Sequence, residues 1–314
     1  MGRYLIRRIL VSIVTLVFIS LVIFGILALA PGDPLSGFGS NPNVPAELRQ
    51  KMREQMGIDD PIPVQYSRWA TQYLQGNWGI SYTTRSSARD YVLGRLPVTL
   101  KIVGGAYMIS LLIALPVGII SAIKQYSLFD QVATTFAFFG FSLPTFFTGI
   151  LFILLFSVKL HWLPFIYDET VTGFWPNLKQ MIMPMMVLAL AGAGSLTRFV
   201  RASMLEVINQ DYVRTARAKG LRENAVLIKH AARNALIPVV TIIAIEVPAV
   251  VGGAVVTEQI FRIPGIGSAL VQGVNEKDVP VVMAISFGYA ILVVIFNIVA
   301  DILYATLDPR IKFS

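Results

Sequence analysis

The chain has 314 residues, 55% hydrophobic and only 14% charged, with a mean hydropathy of +0.68 and a net charge of +8. Soluble domains carry roughly 25% charged residues, so this composition excludes an ordinary soluble protein and points into the membrane. Cysteine is absent, which excludes disulfides, cysteine–zinc sites and thiol catalysis.

Six stretches reach the length of about 18 apolar residues that a bilayer crossing requires. In chain order they are 9–30, 102–123, 131–158, 180–197, 234–257 and 279–300; only the fifth carries a charge, Glu246. A barrel would need alternation over about ten residues per strand, so helices are expected. Arg3, Arg7 and Arg8 followed by an apolar run and "ALA" at 28–30 imitate a signal peptide. The run exceeds the signal core of about 7–15 residues, and span one is read as an uncleaved anchor.

The long loop after span one holds "PAELRQKMREQMGI" at 45–58, with Leu48, Met52 and Met56 at four-residue spacing and Gly57 at a C-cap position. That pattern predicts a short amphipathic helix, resting on the membrane or its own protein, or serving as a docking site. Downstream, Tyr66, Trp69, Tyr73 and Trp78 suit the water–lipid boundary, where amphipathic rings are favoured. Spans two to five are punctuated by Pro116, Pro144, Pro184 and Pro248, each expected to kink a helix. Small-residue patches at 104–106, 189–195 and 252–254 let helices approach closely. Such features suit a transporter, and membrane enzymes share them.

Lysine and arginine placement sets orientation. With the N-terminus inside, the inner segments hold Arg3, Arg7, Arg8, Lys124, Arg310 and Lys312, plus eight cations of the loop after span four. The two short outer loops hold only Lys159, Lys179, Arg262 and Lys277. Both termini are therefore expected in the cytoplasm, and the positive surplus is a topology signal rather than a nucleic-acid-binding surface.

No G-x-x-x-x-G-K-[ST] phosphate loop, H-E-x-x-H or G-x-S-x-G occurs. "GFGSNP" at Gly37 lacks the rest of a dinucleotide fingerprint. His161 and His230 fall on opposite sides of the membrane and cannot share a metal. An enzyme is not indicated, and any ATP that drives this protein must bind a partner.

Between spans four and five, "DYVRTARAKGL" at 211–221 contains Arg214, Arg217 and Lys219, with Arg222 next. Good helix formers flank Gly220, which can end a helix in the left-handed conformation. Asp211 occupies an N-cap position before a short helix over 212–219. Its cations and small Thr215, Ala216 and Ala218 fit close docking against another protein with charge-assisted bonds. The same cations could instead fix topology and bind anionic lipid headgroups.

"DYVRTARAKGL" followed by "HAARNALIP" at 230–238 resembles the cytoplasmic loop of binding-protein-dependent ABC importer permeases, in the dipeptide/oligopeptide/nickel branch. The likeness covers nearly the whole chain, through "APGDP" (30–34), "GIDDPIPVQY" (57–66), "GNWGIS" (76–81), "RLPVTL" (95–100), "LHWLP" (160–164), "RASMLEV" (201–207), "GGAVVTEQIFRIPGIG" (252–267) and "DILYATLDPRI" (301–311). The wider family's loop signature is E-A-A-x-x-x-G, then I-x-L-P after nine residues. Aligned on Gly220, this chain has Arg214, Thr215 and Ala216 in place of E-A-A, and Pro238 arrives five residues late. Both departures resemble the peptide branch and set the chain apart from sugar and amino-acid importers.

The resemblance implies an all-α membrane protein, a type I ABC importer transmembrane domain with six helices and a long external loop after helix 1. It divides the chain into a stub with helix 1 (1–30), an external loop (31–94), a transmembrane domain (95–307, with coupling loop 198–237) and a tail (308–314). It further implies partners: a second permease subunit in a heterodimer, two ABC ATPase subunits and an extracytoplasmic solute-binding protein. ATP and magnesium would sit on the ATPases, with no cofactor on this chain. Asp211, Tyr212, Arg214, Thr215, Ala216, Arg217, Ala218, Lys219 and Gly220 would couple ATP hydrolysis to transport. The last external loop, with Glu258, Phe261, Pro264 and Gly267, would contact the binding protein together with loop one, although "PGIG" by itself reads as a turn. Glu246, a carboxylate at bilayer depth, faces either a subunit junction or the translocation path. The expected cargo is short peptides, with nickel, glutathione or another small solute as alternatives. From a different class, a stand-alone secondary transporter or channel would show paired broken helices in internal repeats, a pattern not found in this sequence.

Overall fold

A computed structural model describes residues 2–29 and 59–307. The amphipathic stretch 45–58, the "APGDP" segment and the tail 308–314 lie outside them. The described residues are almost entirely helical and fall into two compact units. The larger unit holds Leu100–Ile263 and the chain from Ile295; the smaller holds the chain up to Thr99 together with Pro264–Val294.

The helices are α1 (Gly2–Ala28), α2 (Ile62–Leu74), α3 (Ala88–Ile123), α4 (Leu128–Ser142), α5 (Thr145–Phe152), α6 (Phe174–Ile208), α7 (Asp211–Ala218), α8 (Arg233–Ile260), α9 (Ile266–Asn275) and α10 (Val279–Leu307). A π-helical stretch, Ile153–Lys159, extends α5; a helical turn at Glu223–Ala225 and a second π stretch, Val226–Ala232, lead into α8. Among the described residues, five helical runs are long and apolar enough to cross a membrane: Ile6–Ala28, Ala88–Ile123, Phe174–Ile208, Glu223–Ile260 and Val279–Leu307. At about 1.5 Å per residue, α3 and α6 outrun the hydrocarbon core of about 30 Å.

Span three departs from a simple kink. It breaks at Leu143–Pro144 with a bend of 105° between its two arms. The cause is local: a residue before proline is pushed out of the helical region, and Leu143 sits at φ −79°, ψ 129°. Pro116, Pro184 and Pro248, by contrast, lie inside continuous helices.

Packing in the larger unit shows that the bent pair is one crossing. Gly105, Ser110 and Gly118 of α3 meet Met185, Gly192 and Val200 of α6 in that order, so the two helices run parallel. Two parallel neighbours require one crossing between them in sequence, and α4–α5 is the chain that makes it. The six crossings expected from the sequence are therefore five continuous helices and one bent pair. α8 runs antiparallel to α6, with Ser203 at Ala235, Ser195 at Glu246 and Leu188 beside Gly253.

In the smaller unit, α2 begins after Pro61 with Pro63 in its first turn, where a missing N–H costs nothing. The four aromatic residues singled out in the sequence form a ladder. Tyr66, Trp69 and Tyr73 are in successive ring contact, Tyr73 stacks on Trp78 at 5.1 Å, and Phe24 and Phe287 join from α1 and α10. Ser20 and Tyr66 share a hydroxyl–hydroxyl bond of 2.8 Å. Nearby, Asp278 is buried and accepts from Ser81 Oγ and from the Thr83 and Val281 N–H groups. This holds the 76–87 turn against the start of α10.

Candidate functional site: the cationic helix between spans four and five

The sequence predicts helix, break, helix across this loop, and the structure has that form. The N-cap differs. Gln210, in extended conformation, precedes the helix, and Asp211 is its first residue rather than its cap. The Gln210 carbonyl takes the Val213 and Arg214 N–H groups at 3.0 and 3.2 Å, so the backbone closes the first turn without a side-chain acceptor. Asp211 still favours the positive helix N-terminus by its charge. At the other end Gly220 adopts φ +76° and donates to Arg217 O at 2.9 Å.

Val213 and Ala216, three residues apart and so on one face, are buried. They enter a cluster with Ala122 of α3, Val200 and Met204 of α6, Val226 and Ala231 of the π stretch, and Ala235 and Val239 of α8. The short helix is thus seated on the ends of three membrane helices. Asp211, Tyr212, Arg214, Thr215, Arg217, Ala218, Lys219 and Gly220 are exposed. Of the nine residues implied for coupling, Ala216 alone is turned into its own chain. Arg217 forks onto Glu223, with Nε 3.2 Å from both oxygens and Nη2 2.9 Å from Oε1. That bond raises the guanidinium's pKa and ties the segments on either side of Gly220. Arg214 lies 3.7 Å from Asp211.

Glu246 is half-buried on α8, where Ser195 Oγ donates to its Oε1 at 3.2 Å. One turn away, Tyr107 of α3 donates to Ile243 O. The carboxylate therefore lies where α6 meets α8.

The residues implied for binding-protein contact are mostly interior. Glu258 is fully buried, Phe261 nearly so, and their carbonyls accept from Ile263 N at 2.8 Å and Tyr167 N at 3.2 Å. In the smaller unit Gly267 is buried in the first turn of α9 and Pro264 is half-buried. Loop 160–173 of the larger unit is open instead. It forms a cleft of about 840 Å³ whose lining includes His161, Trp162, Tyr167, Asp168, Glu169 and Lys179. Gln180 pins this loop, accepting from Asp168 N at 3.0 Å and donating to Asp168 O at 3.2 Å. Bonds from the Thr170 hydroxyl and N–H hold the Asp168 carboxyl below its ordinary range. "LHWLP" was the only sequence signal for this surface.

An ion pair between α4 and α6 escaped the sequence reading. Asp130, at the start of α4, binds Arg201 of α6 through two short bonds. Arg201 reads in the sequence as one more inner cation, and nothing local marks Asp130 as its partner.

Comparison with known proteins agrees with this architecture. Residues 114–313 match the family model described as binding-protein-dependent transport system inner membrane component. Residues 1–103 match the model for the N-terminal part of such membrane components. The chain is 41% identical to the oligopeptide transport system permease protein AppB of Bacillus subtilis, covering all of both chains. It is 39% identical to a putative peptide permease protein of Brucella suis and 34% identical to the glutathione transport system permease protein GsiC of Escherichia coli K12, again over the full length of each. The chain belongs to the family of binding-protein-dependent transport system inner membrane components, the permease subunits of ABC importers.

Proposed function

We propose that this permease carries short peptides inward across the cytoplasmic membrane, driven by ATP hydrolysis on separate subunits that engage α7. The observation that carries this reading is the seating of α7. Val213 and Ala216 root it in a core shared by α3, α6 and α8, while its cationic face points away. Force applied to that face reaches three membrane helices through packed side chains. The names of the AppB and Brucella relatives support peptides as cargo, and GsiC supports the tripeptide glutathione.

On this reading both termini and α7 are cytoplasmic, the partners are a second permease and two ATPases carrying ATP and magnesium, and a solute-binding protein delivers cargo from outside. Because Glu258, Phe261 and Gly267 are buried, the receptor would meet the open rim of loop 160–173 rather than those side chains. Glu246 lines the path at the α6–α8 junction. Residues 95–307 act as the transporting domain and 31–94 as an external loop.

The test is a reconstituted complex carrying Arg217→Glu. ATPase activity persisting while uptake collapses supports the reading; wild-type uptake at normal expression removes α7 from the coupling role. Exchanging the binding protein for one of another specificity, with this permease unchanged, tests whether cargo choice resides outside the chain.

A further inference from the structure

Asp130 opens the first turn of α4, with its N–H bound to the Ser127 hydroxyl at 3.3 Å. Its carboxylate takes Arg201 Nε on one oxygen at 2.7 Å and Arg201 Nη2 on the other at 2.8 Å. The Tyr126 N–H adds a third bond at 3.0 Å. The Asp130 side chain is 5% exposed and that of Arg201 22%, so this is a bidentate, largely buried fork. Arg201 lies about two turns before α6 ends and gives way to α7.

Beyond the fork, α4 and α6 touch backbone to backbone. A Cβ on Gly194 would stand 2.5 Å from Ala137 O, and one on Gly140 would stand 2.7 Å from Leu190 O. At these two points no side chain separates the backbones. The α6–α8 junction is held differently, by hydroxyls at Ser203–Ala235 and Ser195–Glu246 and by apolar packing of Val200 and Met204 with Ala235 and Val239. At its far end the bent span returns to α8, with Gly149 against Ile260 and Phe261.

We propose that the Asp130–Arg201 fork locks α4 to α6, so that displacement of α7 is delivered to the bent α4–α5 span as one rigid movement. Asp130 and Arg201 are then positioning residues of the transport cycle, not merely stabilising ones. The proposal rests on the coupling role of α7 and adds where the movement goes. α4 follows α6.

Two measurements on the reconstituted complex test it. First, Asp130→Asn keeps an acceptor for Arg201 but removes the charge; uptake should fall roughly tenfold with ATPase activity retained. The double reversal Asp130→Arg/Arg201→Asp should recover part of the uptake lost by either single reversal. Equal loss of uptake and ATPase activity, or no loss, overturns the proposal. Second, because the chain has no cysteine, spin labels can be placed on exposed positions of otherwise native protein. A Gln131→Cys/Ala202→Cys pair should keep its distance between nucleotide-free and ATP-trapped states. A changing α4–α6 distance defeats the proposal even if the charge variants fail to assemble. Arg217→Glu serves as the parallel control. If it uncouples and Asp130→Asn does not, the fork has no such role and the α7 reading stands. If neither uncouples, the α7 reading falls first.

Discussion

The Ser195 hydroxyl on α6 donates to the Glu246 carboxylate on α8 at 3.2 Å, so the one charge within the six apolar stretches sits at a helix junction with a polar partner. Ionisable groups at bilayer depth are costly and face a bundle interior or an aqueous path. Glu246→Gln retains an oxygen for Ser195, so assembly should be unchanged. If the charge meets the amino terminus of a passing peptide, KM for uptake should rise several-fold with kcat little altered. Unchanged kinetics would reduce Glu246 to a packing group.

At Gly220 the backbone, not space, restricts substitution. Its φ is +76°, and an added Cβ would meet no atom within 4 Å. Gly220→Ala should therefore cost only the left-handed conformation, about 1–2 kcal/mol, and Gly220→Asn less. Proline cannot reach positive φ, so Gly220→Pro must open the turn and move Arg217 away from Glu223. Uptake should decline in the order Asn, Ala, Pro while all three variants still reach the membrane.

In the smaller unit, Asp278→Ala would strand the Ser81 hydroxyl and two backbone donors. A loss of about 2–3 kcal/mol is expected, read as faster proteolysis of the 76–87 turn. Asp278→Asn should be milder and should leave a spectroscopic trace. Burial, aided by the Asp278 charge, pushes Tyr82 up to about 12 from 10.0. Its contribution to stability is thus complete below pH 10 and is lost as pH climbs toward about 12. Removing the charge should lower the phenol's titration midpoint in an ultraviolet titration.

Where α4 crosses α6, glycine is required by proximity. Gly194→Ala places a methyl 2.5 Å from the Ala137 carbonyl oxygen, and backbone cannot yield as a flexible side chain would. The helices must separate, at a cost of about 1–3 kcal/mol, lowering the melting temperature of the purified complex. Gly220→Ala, with open space around it, serves as the comparison. Equal effects at the two sites would contradict the close approach of α4 and α6.

Membrane class, six crossings and the cationic helix ending at Gly220 were all determined by the sequence, because each follows from local physics. Apolar length decides what enters a bilayer, and a proline or glycine dictates its own backbone. The same local logic foretold a disturbance at Pro144, though not a bend of 105°, which depends on how α5 finds α8. Only tertiary structure decided that Ala216 faces inward, that Glu258 and Phe261 are interior, and that Asp130 and Arg201 meet. Those residues are polar or apolar in the sequence whichever way they point. Their burial and pairing arise from helices brought together across long separations in the chain, where no local spacing records the partner.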